Sequence, residues 1–308
     1  MKIRVLGSAA GGGCPQWNCA CRNCRGARDG SVRIEARTQE CVAVSADGDA
    51  WFLVNASPDI RSQIESFPAL HPRGLRQSPI QGILLTNGDL DHTLGLLSLR
   101  ESHPLVVYAT EAVRRGFVES NVLYRTLQRF PGQVTWRTLT LGSEVALSDG
   151  DGDPSGLSVE ALAVPGKLPI HLEGLGGAGP EPGDNVGLLI RERGPDRALV
   201  YLSTVGRLTS ETLSAAEGAD CLFFDGTFWS EEELCELGVS EKRAREMAHL
   251  PIGGESGSLA ALRGARPPLR IYIHLNNTNP VLAEDSPERA AVERAGWRVA
   301  RDGLEIAL

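Results

Sequence analysis

Short apolar segments with the length of buried β-strands recur along the whole chain, and they constrain its fold more than any other feature. KIRVLG (residues 2–7), IQGILLT (80–86) and LRIYIHL (269–275) are examples. Hairpin patterns dominate the first half, and segments with helical spacing come between strands in both halves. This order predicts an α/β (α+β) fold in which two mixed sheets pack face to face with helices outside, an αββα four-layer sandwich. We expect one domain over residues 1–308.

Composition and charge exclude several classes of protein. The chain has 308 residues and a formal net charge of −8. It contains no run of Lys or Arg that could follow a phosphate backbone, so we expect no nucleic-acid partner. No segment approaches the roughly 18 consecutive apolar residues of a membrane span, and the N-terminus lacks the apolar core of a signal peptide. We therefore expect a cytoplasmic protein with no membrane insertion, whose oligomeric state stays open.

Four of the seven cysteines lie in GGGCPQWNCACRNC, residues 11–24. Thiolates spaced as Cys19, Cys21 and Cys24 can converge on one ion, so we predict that this loop binds a structural zinc ion. Cys14 or a residue from a distant loop could complete the tetrahedron. A redox pair of Cys21 and Cys24 is the alternative, and the third neighbouring thiol argues against it.

Polar residues that can bind a metal stand at the ends of several apolar strands. Metals and substrates commonly bind at such carboxyl ends. A single Asp there is usually a turn former, and a single His is usually a satisfied core residue. Several Asp and His residues at different strand ends are harder to explain by folding alone, so they predict a metal site. The candidate ligands are Asp89, Asp91, His92, Asp225 and His274.

One of these segments, LTNGDLDH (residues 85–92), resembles the metallo-β-lactamase superfamily signature (L/T)THxHxDH. Asp91 and His92 match its final pair, whereas Asn87 and Asp89 stand where the first two histidines belong. The resemblance implies the same αββα fold that the strand pattern predicts.

Later motifs extend this resemblance. VPGK (residues 164–167) resembles the segment that supplies the third histidine, with Lys167 in its place. The resemblance makes Asp225 the bridging aspartate and His274 the last histidine. Because an amide is a poor ligand and an ammonium group cannot ligate, we expect the first metal position of the superfamily to be lost. The second position keeps two histidines and two carboxylates, a set that suits Fe²⁺ or Mn²⁺ at least as well as Zn²⁺.

The motifs together resemble the pyrroloquinoline quinone (PQQ) biosynthesis protein B family over residues 11–280. They are GGGCPQWNCACRNC, NASPDIRSQI, TNGDLDH, VPGKLP, FFDGTFW and HLNNTNP. The resemblance implies PQQ biosynthesis by mononuclear non-haem iron-dependent hydroxylation of the tyrosine ring of a Glu-Tyr-derived precursor. That precursor and other proteins of the pathway are then the expected partners. A soluble carrier that assists transport of PQQ or its precursor to the periplasm is the alternative. A metal-dependent hydrolase is the second alternative, which the missing His-x-His pattern disfavours.

The cysteine loop also resembles that of phosphonate-pathway phosphodiesterases, in which three such cysteines hold a structural zinc ion. The fourth ligand of those enzymes is a histidine at the position of Asn277. The resemblance therefore leaves Cys14 as the local candidate for the fourth ligand in this chain.

Three residues are candidates to bind the substrate: Lys167, His171 and His249. His249 resembles a substrate-facing histidine of related phosphodiesterases, although a helix C-terminal cap before Pro251 is an equal alternative. For His171 the alternative is an ordinary loop histidine. An imidazole can hold a phenol or a carboxylate, and Lys167 would present positive charge to an acidic precursor.

Overall fold

The computed structural model describes residues 1–119, 121–148, 152–173 and 180–308. Its strands form two seven-stranded sheets, in the spatial orders β14-β1-β2-β3-β4-β5-β6 and β13-β12-β11-β10-β9-β8-β7. The strands are β1 (Lys2–Gly7), β2 (Cys41–Ser45), β3 (Trp51–Val54), β4 (Ile80–Leu84), β5 (Leu105–Ala109), β6 (Val134–Thr138), β7 (Glu144–Ser148), β8 (Pro154–Ala163), β9 (Val186–Glu192), β10 (Arg197–Leu202), β11 (Cys221–Asp225), β12 (Leu269–Ile273), β13 (Arg298–Val299) and β14 (Glu305–Ala307).

Helices connect the strands and cover the sheets. They are α1 (Arg22–Asp29), α2 (Ile60–Glu65), α3 (Leu90–Thr93), α4 (Gly95–Ser98), α5 (Glu111–Glu119), α6 (Ser210–Glu217), α7 (Glu233–Glu236), α8 (Ser258–Ala261) and α9 (Pro287–Arg294). Short 3₁₀ helices lie at Pro68–Leu70, Val122–Gln128, Ile170–Leu172, Arg245–Met247 and Pro280–Leu282. Within the described ranges, no helix is both long enough and apolar enough to cross a membrane.

The strands are apolar on both faces because each sheet is covered on both sides. In β11, Cys221 and Phe223 belong to a core that both sheets share, whereas Leu222 and Phe224 belong to a core that includes Val292 of α9. Successive side chains of a strand point to opposite faces, and a strand buried on both faces is a nearly continuous apolar run.

The outer face of the other sheet is covered in the same way. Leu53 of β3 and Ile83 of β4 pack in a third core with Ile60 of α2 and Phe117 of α5. The layers are therefore helix, sheet, sheet and helix, and the αββα sandwich predicted from the strand pattern is confirmed.

Parallel strands of each sheet bring their carboxyl ends to the edge where the sheets meet. In one sheet β3, β4 and β5 are parallel neighbours, and in the other β10, β11 and β12 are. Backbone hydrogen bonds join the sheets there: Ala10 N donates to Leu275 O at 2.9 Å, and Leu275 N donates to Ser8 O at 3.0 Å. The segments that follow β1, β4 and β12 are thereby held side by side.

Candidate metal centres

Three cysteines form a compact sulfur cluster at the start of α1. The Sγ atoms of Cys19, Cys21 and Cys24 all lie within 4.8 Å of one another. Backbone N–H groups point at them: Gln16 N donates to Cys24 Sγ at 3.3 Å, and Cys24 N donates to Cys21 Sγ at 3.4 Å. Burial raises the pKa of the Cys21 thiol to about 11 when no ion is present. Three sulfur ligands in this arrangement fit zinc.

Asn277 faces the open side of the sulfur cluster. Its side-chain amide lies 3.2 Å from Cys19 Sγ, 3.3 Å from Cys24 Sγ and 3.7 Å from Cys21 Sγ. Rotation of the amide exchanges its nitrogen for its oxygen, which is a ligand atom. The residue that sequence reasoning set aside therefore faces the sulfur cluster and is a candidate for the fourth ligand.

Cys14 is not part of this sulfur cluster. Its backbone pairs with Arg37 instead: Cys14 N donates to Arg37 O at 2.9 Å, and Arg37 N donates to Cys14 O at 2.6 Å. The side chain is buried, and burial raises the pKa of its thiol. The Cys14 thiol forms a hydrogen bond with Cys24 and lies close enough to Cys19 and Cys21 for their charges to act on it. Cys14 and Asn277 are therefore the two candidates for the fourth ligand, and we favour Asn277 because its amide faces all three sulfur atoms.

A second cluster lies in the cleft between the sheets and contains Asp91, His92 and His274, whose ligand atoms all lie within 4.8 Å of one another. His274 Nε2 is 3.2 Å from Asp91 Oδ2, and His92 Nε2 is 3.8 Å from the same oxygen. Asp91 and His92 belong to α3, which begins at Leu90 after β4 ends at Leu84, while His274 directly follows β12. Three of the predicted ligands are therefore brought together by two different strand ends.

Hydrogen bonds fix which nitrogen of each imidazole faces this cluster. Thr86 Oγ1 donates to Asn55 Oδ1 at 3.1 Å, so it accepts a hydrogen bond from His92 Nδ1 at 3.3 Å. In the same way Thr227 Oγ1 lies 2.8 Å from His274 Nδ1. Partners on Nδ1 leave Nε2 free for a metal, which is the usual arrangement of histidine ligands.

The protonation states of the cleft follow from its burial and charges. Burial lowers the pKa of His92 to about 4. Burial opposes the charged form of His274 as well, but the hydrogen bond to Asp91 and the charge of Asp91 raise its pKa to about 9. Although burial would raise the pKa of Asp91, His92 and His274 hold it well below its usual range. Without a metal, His274 and Asp91 therefore form an ion pair.

Asp225 lies in an adjoining group with His249 and His274. Its Oδ1 accepts from Thr227 N at 3.0 Å and from Thr227 Oγ1 at 2.6 Å. Its Oδ2 accepts from Val205 N at 2.8 Å and lies 2.8 Å from His249 Nδ1. Both oxygens of Asp225 are therefore fully hydrogen-bonded within the protein. Burial would raise its pKa, but the charge of His249 and these hydrogen bonds hold it low.

Glu40 belongs to the cleft, and sequence reasoning missed it. Its carboxylate is completely buried, accepts from Asn55 Nδ2 at 2.9 Å, and lies 3.5 Å from His92 Nε2. Burial raises the pKa of Glu40 to about 8. The signal in the sequence is an acidic residue that directly precedes the buried strand CVAVS, where no charge is expected.

The residues at the superfamily's first metal position serve other purposes. Asn87 Oδ1 accepts from Asp89 N at 2.9 Å, and Asn87 Nδ2 donates to Asn185 Oδ1 at 3.3 Å. Asp89 is not part of either cleft group. Burial and the charge of Asp91 raise its pKa to about 6, while the charge of Lys167 opposes that rise. Lys167 therefore lies close enough to act on Asp89.

The two remaining histidines differ in location. The ring of His249 stacks on that of His274, with centroids 5.4 Å apart and an interplanar angle of 21°. Its Nδ1 bonds the Asp225 carboxylate rather than a helix carbonyl, so it is not a helix cap. His171 is not brought into the cleft cluster: it lines a separate cavity of about 270 Å³ with residues such as Leu94 and Phe117, and burial lowers its pKa.

Comparisons with known proteins give the family. A model of the beta-lactamase superfamily domain matches residues 50–275. Coenzyme PQQ synthesis protein B from Methylobacterium sp. (strain 4-46) is 46% identical over 310 residues, and the match covers 100% of both chains. The protein of the same name from Nitrosococcus oceani is 43% identical over 318 residues, again with full coverage of both.

The chain belongs to the coenzyme PQQ synthesis protein B family. The resemblance inferred from its motifs is thereby confirmed.

Solved structures agree with this family membership. The crystal structure of Zn²⁺-bound PqqB from Methylobacterium extorquens matches with a TM-score of 0.92 at 44% identity, and the match covers 100% of both chains. A diphosphatase of the PhnP family matches with a TM-score of 0.66 at 20% identity, and the match covers 100% of this chain and 97% of that one. At that lower identity the likeness concerns the fold alone.

Replacement of one clustered cysteine is expected to release zinc and destabilise the loop. Cys21→Ser should lose the zinc ion and lower the melting temperature by at least about 5 °C, because the ion's binding energy contributes to folding. Asn277→Ala should weaken zinc binding, whereas Cys14→Ser should retain the ion. Zinc content by mass spectrometry and thermal unfolding would check this. An unchanged zinc content in Cys21→Ser would contradict a zinc site at these cysteines. A loss of zinc from Cys14→Ser as complete as that from Cys21→Ser would contradict Asn277 as the fourth ligand.

Metal binding in the cleft is expected to strengthen as pH rises from about 6 to about 9. The raised pKa of His274, about 9, means that a proton occupies its Nε2 over this range and must leave before a metal binds. Each displaced proton makes affinity rise by about tenfold per pH unit below that pKa. Equilibrium dialysis with Mn²⁺ would measure it, and equal affinity at the two ends of the range would speak against a metal on His274.

Proposed function

We propose that this chain acts in the synthesis of coenzyme PQQ as a mononuclear, non-haem iron-dependent hydroxylase. The proposed reaction hydroxylates the tyrosine ring of a Glu-Tyr-derived precursor. The observation that carries the proposal is the compact cluster of two imidazoles and a carboxylate formed by Asp91, His92 and His274. Full-length relatives named for PQQ synthesis support the pathway.

The ligand types favour iron. Two histidines and one carboxylate with open positions are the ligand set of non-haem Fe²⁺ oxygenases. The threonine hydroxyls of Thr86 and Thr227 orient both rings so that Nε2 faces the carboxylate. Bound Fe²⁺ would activate O₂, which aromatic hydroxylation requires. The Zn²⁺-bound relative supports a divalent ion in this family's fold.

A single cleft metal follows from the residues at the first position. Both ends of the Asn87 amide are already hydrogen-bonded, to Asp89 N and to Asn185 Oδ1. The ammonium group of Lys167 acts on Asp89 and would repel a second cation. Two-metal hydrolysis needs ions on both the attacking and the leaving oxygen, so the hydrolase alternative has the least support.

The zinc loop has a role next to the cleft. A Cβ atom added at Gly11 would lie 3.3 Å from Asp91 Oδ2, so the loop's backbone passes directly beside this carboxylate. Arg28 donates hydrogen bonds to Cys19 O at 2.6 Å and to Gln16 O at 2.5 Å. We assign the zinc ion the structural task of fixing this loop, and thereby of shaping one wall of the cleft.

Lys167 and His249 are the residues assigned to the substrate. A precursor derived from glutamate carries carboxylates, and Lys167 offers the opposite charge near the metal ligands. His249 Nδ1 is held by Asp225 at 2.8 Å, which leaves Nε2 for the phenol oxygen of the substrate. A positioned imidazole with a partner on its other nitrogen can hold or move a proton at that oxygen.

The chain loaded anaerobically with Fe²⁺ is expected to insert oxygen into the precursor when O₂ is admitted. Isotopically labelled O₂ and a reductant such as ascorbate, which takes the second oxygen atom to water, should give a labelled hydroxylated ring by mass spectrometry. His274→Ala and the Zn²⁺-loaded chain are the controls and should give no label. Tight binding of an unchanged precursor under these conditions would contradict hydroxylation and favour the soluble carrier.

Lys167→Ala and His249→Ala are each expected to lower kcat/KM by at least about tenfold while the iron content stays unchanged. We expect this because Lys167 and His249 are assigned to binding the substrate and not to binding the metal. Lys242→Ala, which removes an exposed lysine elsewhere, is the matched control and should leave kcat/KM unaltered. Iron loss in either variant would make that residue a metal ligand, and unaltered turnover in both would remove them from the substrate site.

A further inference from the structure

The carboxylate of Glu40 faces an unpartnered nitrogen inside the cleft. Its Oε2 lies 3.5 Å from His92 Nε2, and the residue is 0% exposed. Among the described residues, Glu40 Oε1 and His92 Nε2 have no hydrogen-bond partner. Buried polar atoms are nearly always satisfied in native proteins, so a pair of orphaned ones at the same place calls for a missing partner.

A cation fits the place of that partner, given the tautomer of His92. Its Nδ1 donates to Thr86 Oγ1, whose own hydrogen goes to Asn55 Oδ1. His92 Nε2 therefore carries a lone pair and cannot donate to Glu40. The 3.5 Å separation is too long for a strong hydrogen bond from a protonated Glu40 to this lone pair. A metal ion that displaces the carboxyl proton of Glu40 would bind both atoms.

The separations in the cleft match those of atoms that share one ion. Ligand atoms about 2.1 Å from a metal lie about 3 Å apart when they subtend a right angle, and somewhat farther apart at wider angles. Glu40 Oε2 and His92 Nε2 are 3.5 Å apart. Glu40 is not among the residues whose ligand atoms all lie within 4.8 Å of one another, so its side chain has to turn towards Asp91 and His274 to share their ion. Asp91 Oδ2 lies 3.2 Å from His274 Nε2 and 3.8 Å from His92 Nε2.

One hydrogen-bonded network positions Glu40 and His92 together. Asn55 Nδ2 donates to Glu40 Oε2 at 2.9 Å, and Asn55 Oδ1 accepts from Thr86, which in turn holds His92. Asn55 adopts a left-handed backbone with φ of 63°, a conformation that Asn tolerates better than most residues. The carboxylate and the imidazole are thus oriented by the same amide.

Asp225 is the other candidate for a second carboxylate ligand, but its oxygens already accept hydrogen bonds within the protein. Asp225 receives hydrogen bonds on both oxygens, from Thr227, Val205 and His249. A carboxylate has about four lone-pair directions, and Asp225 uses all of them within the protein. Glu40 has one donor, Asn55, and an oxygen with none.

We infer that Glu40 is a direct ligand of the cleft metal, the second carboxylate beside Asp91, and that Asp225 acts instead as a positioning residue for His249 and His274. This inference rests on the metal site of the proposed function, but it assigns that site a ligand from the segment before β2, which the superfamily signature does not contain.

Binding of Mn²⁺ to the full chain, with zinc retained at the cysteines, tests the inference. Equilibrium dialysis gives the affinity, and electron paramagnetic resonance of bound Mn²⁺ reports on its ligands. Glu40→Gln should weaken binding by at least about 100-fold and change the spectrum, because it removes a ligand. Asp225→Asn should weaken it by about tenfold, as expected of a residue that acts through a ligand. Glu233→Gln, which alters another buried glutamate that accepts from Trp229 N and Thr278 Oγ1 and belongs to neither cleft group, is the matched control and should change neither quantity.

The outcomes separate the inference from the proposed function. The role of Glu40 is overturned if the Mn²⁺ affinity of Glu40→Gln stays within about twofold of that of the unmodified chain. It is also overturned if Asp225→Asn loses more Mn²⁺ affinity than Glu40→Gln. Absence of a cleft Mn²⁺ in the unmodified chain overturns the proposed metal site itself. Retained zinc and an unaltered metal-free melting temperature would show that Glu40→Gln is folded. If it is not, Glu40→Asp serves instead, and wild-type affinity in that shortened variant counts against ligation.

Discussion

The fold buries several ionisable side chains at the edge where its two sheets meet, and the neutralisation of these charges governs the rest of the site. Asp91 pairs with His274, and Asp225 pairs with His249. Glu40 is buried beside a neutral His92, and burial raises its pKa to about 8 although the charge of His274 opposes that rise. Removal of a charge from water is costly unless it is compensated. A divalent ion among these groups would supply the compensation, and its binding would then add to the stability of the folded chain.

The two metal centres are linked through a single chain segment. His274 belongs to the cleft cluster, and Asn277, a few residues further on, faces the sulfur cluster. Between them, Leu275 exchanges backbone hydrogen bonds with the loop after β1, donating to Ser8 O and accepting from Ala10 N. Zinc at the cysteines would therefore fix both the loop that passes beside Asp91 and the segment that carries His274. The structural ion can thus affect the cleft without taking part in its chemistry.

Residue patterns along the chain are sufficient to predict the layers of the fold and part of the site. Apolar strands separated by helices give the αββα sandwich because both faces of each sheet must be covered. Asp91, His92 and His274 were predicted because polar residues at strand ends stand out against apolar runs.

Glu40 was missed because its role depends on His92, which is distant in sequence and adjacent only in the folded chain. Cys14 was predicted as the fourth zinc ligand from its nearness in sequence to Cys19; its thiol contacts Cys24, although it is not one of the three clustered cysteines. Asn277 was set aside because an amide is a weaker ligand than histidine, yet its side chain faces all three sulfur atoms.

The central claim is that this chain holds one metal in the cleft and a separate zinc ion at the cysteines. Anomalous diffraction from crystals of the chain loaded with Fe²⁺ under anaerobic conditions tests it most directly, because absorption edges distinguish the two elements. The account predicts a zinc peak among Cys19, Cys21, Cys24 and Asn277, and one iron peak in contact with Asp91, His92 and His274. Two cleft peaks, or an iron peak at Asn87 and Lys167, would contradict it.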